Sequence, residues 1–328
     1  MISKNLSRRG ALSSALSVAL LAMSLAAPTL MTPAYAAAPM VKTQPGYYRV
    51  MLGDFEVTAL SDGTVKLPMD KLLANVPEAD FNKGLKKFHQ SNPIETSFNG
   101  FLINTGSKLV LIDTGAGALF GPTVGKLVTS LKAAGYQPEQ VDEIYITHMH
   151  GDHIGGLTAN GVAVFPNAIV RSDKHESDYW LSQANMDKAS TDDKGGYQHA
   201  MDALKPYIAA GHFKPFEGDT DLGTGVKAIA APGHTPGHTI YLVESKGQKL
   251  MLWGDLMHAA ALQFDNPSIA IHFDSDTKAA VAARKKAYAE AAKEGYLVGS
   301  AHLSFPGLGY LRAEGKGYVW IPVNYAQP

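Results

Sequence analysis

The chain has 328 residues, 45% hydrophobic and 18% charged, the make-up of a globular protein with a sizeable core. Its formal net charge is −1 and it has no long basic run, which argues against a surface that tracks nucleic-acid phosphates. It has no cysteine, so disulfides and thiolate ligands are excluded and any metal must be held through nitrogen and oxygen.

Residues 1–36 read as a cleaved export signal. Lys4, Arg8 and Arg9 form a positive head, an apolar run extends from Ala11 to Ala27, and Ala34-Tyr35-Ala36 offers small residues for cleavage after Ala36. Ser7-Arg8-Arg9-Gly10 looks like a twin-arginine signal, while an ordinary secretory head containing two arginines fits as well. Cleavage removes three cations and no acid, so 29 basic residues fall to 26 against 30 acidic ones, a net −4. The expected product is an exported, periplasmic protein without membrane attachment, made of one domain over 37–328.

In chain order, an extended lead-in over 37–48 precedes short strands. Phe55–Leu60 and Thr64–Leu67 flank Ser61-Asp62-Gly63, a hairpin signal, and Gly100–Asn104 and Leu109–Asp113 flank Thr105-Gly106-Ser107, another. Thr123–Ala134 predicts a helix ended by Gly135. Glu143–Thr147 is a buried strand; Asp173–Leu181 and Tyr197–Ala210 predict helices, with a polar loop over 182–196 between them. Val226–Ala230, Thr239–Val243 and Lys249–Trp253 read as strands, Asp276–Glu294 as a long helix closed by Gly295, and Tyr296–Ala301 as a last buried strand. Strands mixed with helices in this way imply helices packed outside sheets.

The chemistry concentrates in Thr147-His148-Met149-His150-Gly151-Asp152-His153. His148 and His150 are two apart and face the same way on extended chain, while a turn at Gly151 brings Asp152 and His153 to a second point. Two neighbouring metals use four such groups better than one does. Further donors follow apolar strands: His234 after 226–230, Asp255 after 249–253, and His302 after 296–301, just as His148 follows 143–147. Sites in layered folds gather at strand C-termini. The coordination arithmetic then gives His148, His150 and His234 to one metal, Asp152, His153 and His302 to the other, and Asp255 to both, with an open position for water or hydroxide. Imidazole and carboxylate suit Zn²⁺, Mn²⁺, Co²⁺ or Fe²⁺ alike.

The HxHxDH run, Gly-His-Thr-Pro-Gly-His at 233–238, Gly254-Asp255 and the distal His302 resemble the metallo-β-lactamase superfamily over nearly all of the mature chain. Residues 53–63, 137–150 and 301–307 look like the methyl parathion hydrolase and dihydrocoumarin hydrolase group. The resemblance implies an α+β fold, a four-layer αβ/βα sandwich, with two divalent metals, most simply zinc, and a homodimer. It implies a hydroxide between the metals as nucleophile, with Asp152 and Asp255 as the catalytic carboxylates. It gives Asp113 the task of holding the ligand loop, where the residue alone reads as a turn cap, and His238 that of supporting the loop of His234. It places Leu67, Leu72, Phe120, Trp180, Tyr197, His258, Ile271 and Phe273 around the substrate, with His258 hydrogen-bonding a lactone or its phenolate leaving group. His89, His175, His199, His212 and His272 read as surface or helix residues.

Methyl parathion hydrolases carry Arg, Leu, Thr and Leu where this chain has Leu72, His258, Ile271 and Phe273. The bulkier set favours lactones and aryl esters such as dihydrocoumarin over organophosphate triesters, with weak triester hydrolysis or a principal phosphotriesterase activity as the alternative. No G-x-S-x-G elbow is present, which disfavours a serine esterase. A reading of another class is a non-catalytic periplasmic metal-binding protein, separated from the enzyme by whether any ester turns over.

Overall fold

Strands that are apolar at every position must be covered on both faces, and this requirement builds the core. Leu102, Leu109, Leu111 and Ile144 enter one apolar cluster, while their neighbours Phe101, Ile103, Val110, Ile112 and Tyr145 enter another. These residues belong to a six-stranded sheet in the order Tyr47–Leu52, Phe55–Leu67, Ile94–Asn104, Leu109–Ile112, Glu143–Tyr145, Ile169–Arg171. The computed structural model describes residues 40–326, and from Gln44 onward these form one compact unit. The export signal and the domain start at residue 37 lie outside the described residues. No helix among the described residues is long and apolar enough to cross a membrane.

The second sheet has seven strands, in the order Thr220–Asp221, Val226–Ala230, Thr239–Ser245, Gln248–Leu252, Leu297–Gly299, Leu308–Glu314, Gly317–Pro322. Tyr241, Val243, Leu250 and Leu252 meet the first sheet, and Ile240, Met251 and Val298 face away from it. Helices Leu127–Ala133 and Lys194–Ala209 cover the outer face of the first sheet, and Thr277–Glu294 covers that of the second. The result is the expected four-layer αβ/βα sandwich of the metallo-β-lactamase fold.

Strands Leu109–Ile112, Glu143–Tyr145 and Ile169–Arg171 run parallel, as do Gln248–Leu252 and Leu297–Gly299. Val226–Ala230 shares the direction of Gln248–Leu252 through two antiparallel steps. The C-terminal ends of these strands therefore lie on one side of the sandwich, where the donor residues follow them.

Some boundaries differ from expectation. Ser61-Asp62-Gly63 is no hairpin: Phe55–Leu67 is one strand with a bulge there. The cause is Asp62, whose buried carboxylate accepts the backbone N–H groups of Ala116, Gly125 and Leu127 and so docks the 114–127 loop onto the strand. That loop replaces the first turn of the expected 123–134 helix, which spans only Leu127–Ala133. The polar stretch 182–196 holds a short helix, Gln183–Lys188, capped by Ser182. The lead-in over 37–48 ends in an edge strand, Tyr47–Leu52, and the hairpin Leu308–Glu314 with Gly317–Pro322 completes the second sheet.

Candidate metal centre

All seven expected donors converge. Donor atoms of His148, His150, His234 and Asp255 form one group within 4.8 Å of one another, and those of Asp152, His153 and His302 form a second. Asp255 divides its oxygens between them. Its Oδ2 lies 3.2 Å from His234 Nε2 and 3.5 Å from His148 Nε2. Its Oδ1 lies 3.1 Å from both His153 Nε2 and His302 Nε2. Asp152 Oδ2 is 3.6 Å and 3.5 Å from the same two nitrogens.

Hydrogen bonds behind the rings fix which nitrogen faces the centre. Asp113 Oδ2 accepts from His153 Nδ1 at 2.8 Å and from Thr147 Oγ1 at 2.8 Å. Thr147 Oγ1 thereby accepts from His148 Nδ1 at 3.1 Å. His302 Nδ1 donates to the Ser97 carbonyl at 3.1 Å, and His234 Nδ1 donates to Asp274 Oδ1 at 2.9 Å. Each of these four rings therefore turns its Nε2 inward. His150 does so through Nδ1, which faces His234 Nε2 at 3.1 Å. Asp113, to which resemblance gave a loop-holding task, makes these contacts from a left-handed conformation at φ 58°. His238 accepts the Asp255 N–H on Nε2 at 3.0 Å and donates Nδ1–H to the Ala231 carbonyl, so it supports the loops of both Asp255 and His234.

Three buried atoms aimed into the cluster, His148 Nε2, His153 Nε2 and Asp255 Oδ1, have no hydrogen-bond partner among the described residues. Leaving such groups unpaired in a buried site costs about 1–3 kcal/mol each, and cations between them would remove that cost. Burial and then the His153 charge push His148 well below the usual histidine range, and burial and then His234 do the same to His150. Burial opposes charge on His153 and His234 too, but Asp255, Asp152 and Asp113 outweigh it at His153, while Asp255 and Asp274 hold His234 at about 9. A donor set of imidazole nitrogens and carboxylate oxygens turned toward one another fits two divalent ions.

A cavity of about 640 Å³ opens over the cluster. Leu67, Phe120, Trp180, Tyr197, His258 and Phe273 line it as expected, together with Phe98 and Tyr179. Leu72 and Ile271 are absent from the lining: Ile271 is buried with Met69 and Ile94, and Leu72 packs against that cluster, so both act beneath the wall. His199 and His272, read as bystanders, line the cavity. No lysine or arginine does so among the described residues. His258, expected beside the substrate, also contacts the centre. Its Nε2 lies 3.0 Å from Asp255 Oδ2, burial lowers its pKa to about 4, and its Nδ1 is buried without a hydrogen-bond partner among the described residues.

Asp274 and Glu176 were not singled out from sequence. Both lie on segments read only as helix or loop, and nothing local in the sequence aims them at a histidine or at a ligand loop. Gln263 and Arg284 were missed likewise. Gln263 Oε1 accepts the N–H groups of His258 and Ala259, and the buried Arg284 donates to the carbonyls of Leu256, Pro267 and Ile269, fixing the loop after Asp255.

Comparison with known proteins agrees with this geometry. The Metallo-beta-lactamase superfamily profile matches residues 97–299. A crystal structure of the hydrolase AbOPH in the beta lactamase superfamily is 40% identical, with TM-score 0.83, covering 87% of this chain and all of that one. AidC, a dizinc quorum-quenching lactonase solved with the product N-hexnoyl-L-homoserine, is 28% identical with TM-score 0.80, covering 86% of this chain and 99% of that one. An N-acyl homoserine lactonase of Bacillus sp is 31% identical over 153 residues, 46% of this chain and 52% of that protein. The chain thus spans about half the length of such curated relatives. On the profile match and the site alike, the chain belongs to the metallo-beta-lactamase superfamily.

Proposed function

We propose that the chain is an exported, dinuclear metal-dependent hydrolase of lactones and aryl esters, of the dihydrocoumarin type. The observation that carries the reading is the division of Asp255, one oxygen to each of two histidine-rich donor groups, at the floor of an aromatic-walled cavity. When bound, two divalent cations supply a hydroxide nucleophile near neutral pH and positive charge for the oxyanion that develops on an attacked carbonyl.

The chain's own residues would do the rest. Phe120, Trp180, Tyr197 and Phe273 offer flat apolar contact to an aryl or acyl group. A cavity without lysine or arginine gives a carboxylate or phosphate tail no side-chain cation to pair with, which favours uncharged esters. Asp152 is more open than Asp255, with side-chain exposures of 15% and 3%. Its Oδ2 faces His153 and His302. The similarity to lactonases supports this substrate class.

The test is a panel of dihydrocoumarin, N-acyl homoserine lactones, aryl esters and phosphotriesters, assayed on metal-stripped protein before and after two equivalents of Zn²⁺ or Mn²⁺. Lactone and aryl ester turnover that appears with metal is the expected result. Tight binding of metal without turnover of any ester would favour a metal-binding protein instead.

A further inference from the structure

Glu176 is a fully buried carboxylate that the proposed chemistry does not use. It sits in the helix Lys174–Trp180, between the two segments that supply the first donor group. Its Oε1 accepts the N–H of Met149, the residue between His148 and His150, at 2.8 Å. Its Oε2 accepts the N–H of Gly237, three residues after His234, at 2.8 Å. One carboxylate thus ties two loops that are distant in sequence, using both oxygens. Gly237 makes the approach possible: a Cβ there would come within 2.3 Å of the Glu176 backbone nitrogen. Trp180, one turn further along the same helix, packs edge-on to the His150 ring at 5.4 Å.

We propose that Glu176 is a positioning residue for the first metal position, setting the spacing of His148 and His150 against His234. The inference rests on the two-metal reading above. It assigns Glu176 to one position only, because the second group, Asp152, His153 and His302, receives no contact from it: His153 is held by Asp113 and His302 by the Ser97 carbonyl. Asp274 acts on the same position from the other side, through His234 Nδ1. Asp62 provides the comparison, a buried carboxylate that also gathers backbone N–H groups but touches no donor loop.

The experiment titrates metal-stripped full-length protein with Zn²⁺ against a chromophoric chelator, with the fold checked by circular dichroism. E176Q keeps the side-chain size but sets an amide NH₂ against a backbone N–H. Wild-type protein is expected to bind two equivalents. E176Q is expected to bind one of them about 10–100-fold more weakly and the other unchanged, in line with losses on removing groups that orient ligands. D274N should weaken the same equivalent, and D62N should lower the thermal midpoint with both affinities intact. Combining E176Q with H302A, which removes a donor from the second position only, identifies the affected site. Should E176Q not fold, G237A reads the same contact from the opposite loop and should weaken the same equivalent. Two unchanged affinities, or an equal loss at both, would overturn the role of Glu176 alone. No zinc uptake by wild-type protein would overturn the two-metal reading and this one with it.

Discussion

Replacing Asp255 by alanine removes one oxygen from each donor group at once. Oδ2 is lost opposite His148 and His234, at 3.5 Å and 3.2 Å, and Oδ1 opposite His153 and His302, both at 3.1 Å. A contact to a charged group in a buried site is worth about 1.5–3 kcal/mol. Losing one at each position costs about 3–6 kcal/mol in all, or roughly two to four decades in the product of the two dissociation constants. The neighbours make matters worse for the variant: His258 Nε2 loses its acceptor, and among the described residues no other carboxylate is shared by the two groups. Metal content measured by inductively coupled plasma mass spectrometry after dialysis against a weak chelator should fall from two equivalents to well below one, and lactone turnover should fall by at least the same factor. An Asp255→Ala protein that keeps two equivalents under the same dialysis would refute the bridging geometry.

Phe120→Ala should raise KM for aryl lactones about 2–10-fold, the worth of one aromatic contact, with little change in thermal midpoint because the ring is 45% exposed; unchanged KM would remove it from the substrate wall. His258→Leu frees Asp255 Oδ2 of its donor and opens space beside Phe273, whose ring lies 6.2 Å away. The ratio of phosphotriester to lactone turnover should rise, and a constant ratio would take His258 out of the specificity account. Arg284→Ala strands the carbonyls of Leu256 and Pro267 and should cost about 3 kcal/mol, lowering the thermal midpoint by roughly 6–12 °C. A shift of only a degree or two in differential scanning calorimetry would contradict the anchoring of that loop.

The donor set was legible because its residues are rare types at fixed spacing directly after apolar strands. His148, His234, Asp255 and His302 each follow a strand whose pattern needs no tertiary information. The hairpin signal at Thr105-Gly106-Ser107 likewise marked the antiparallel pair Ile94–Asn104 and Leu109–Ile112. What stayed hidden depends on contacts between distant segments. Asp62 lies in a stretch that reads as a turn, and only its partners at 116, 125 and 127 turn it into a bulge. Asp274, Glu176 and Arg284 look like ordinary charges until the fold buries them against His234, the ligand loops and the loop after Asp255. The contact of His258 with the centre follows from Asp255 lying 3.0 Å away, a distance that residue types alone do not encode.

The division of the Asp255 oxygens calls for one cation on either side of that carboxylate. Anomalous diffraction from a zinc-loaded crystal, collected on both sides of the zinc absorption edge, tests it directly. Two peaks are expected, one among His148, His150 and His234 and the other among Asp152, His153 and His302, each next to a different Asp255 oxygen. A single peak, or none, at full loading would contradict it.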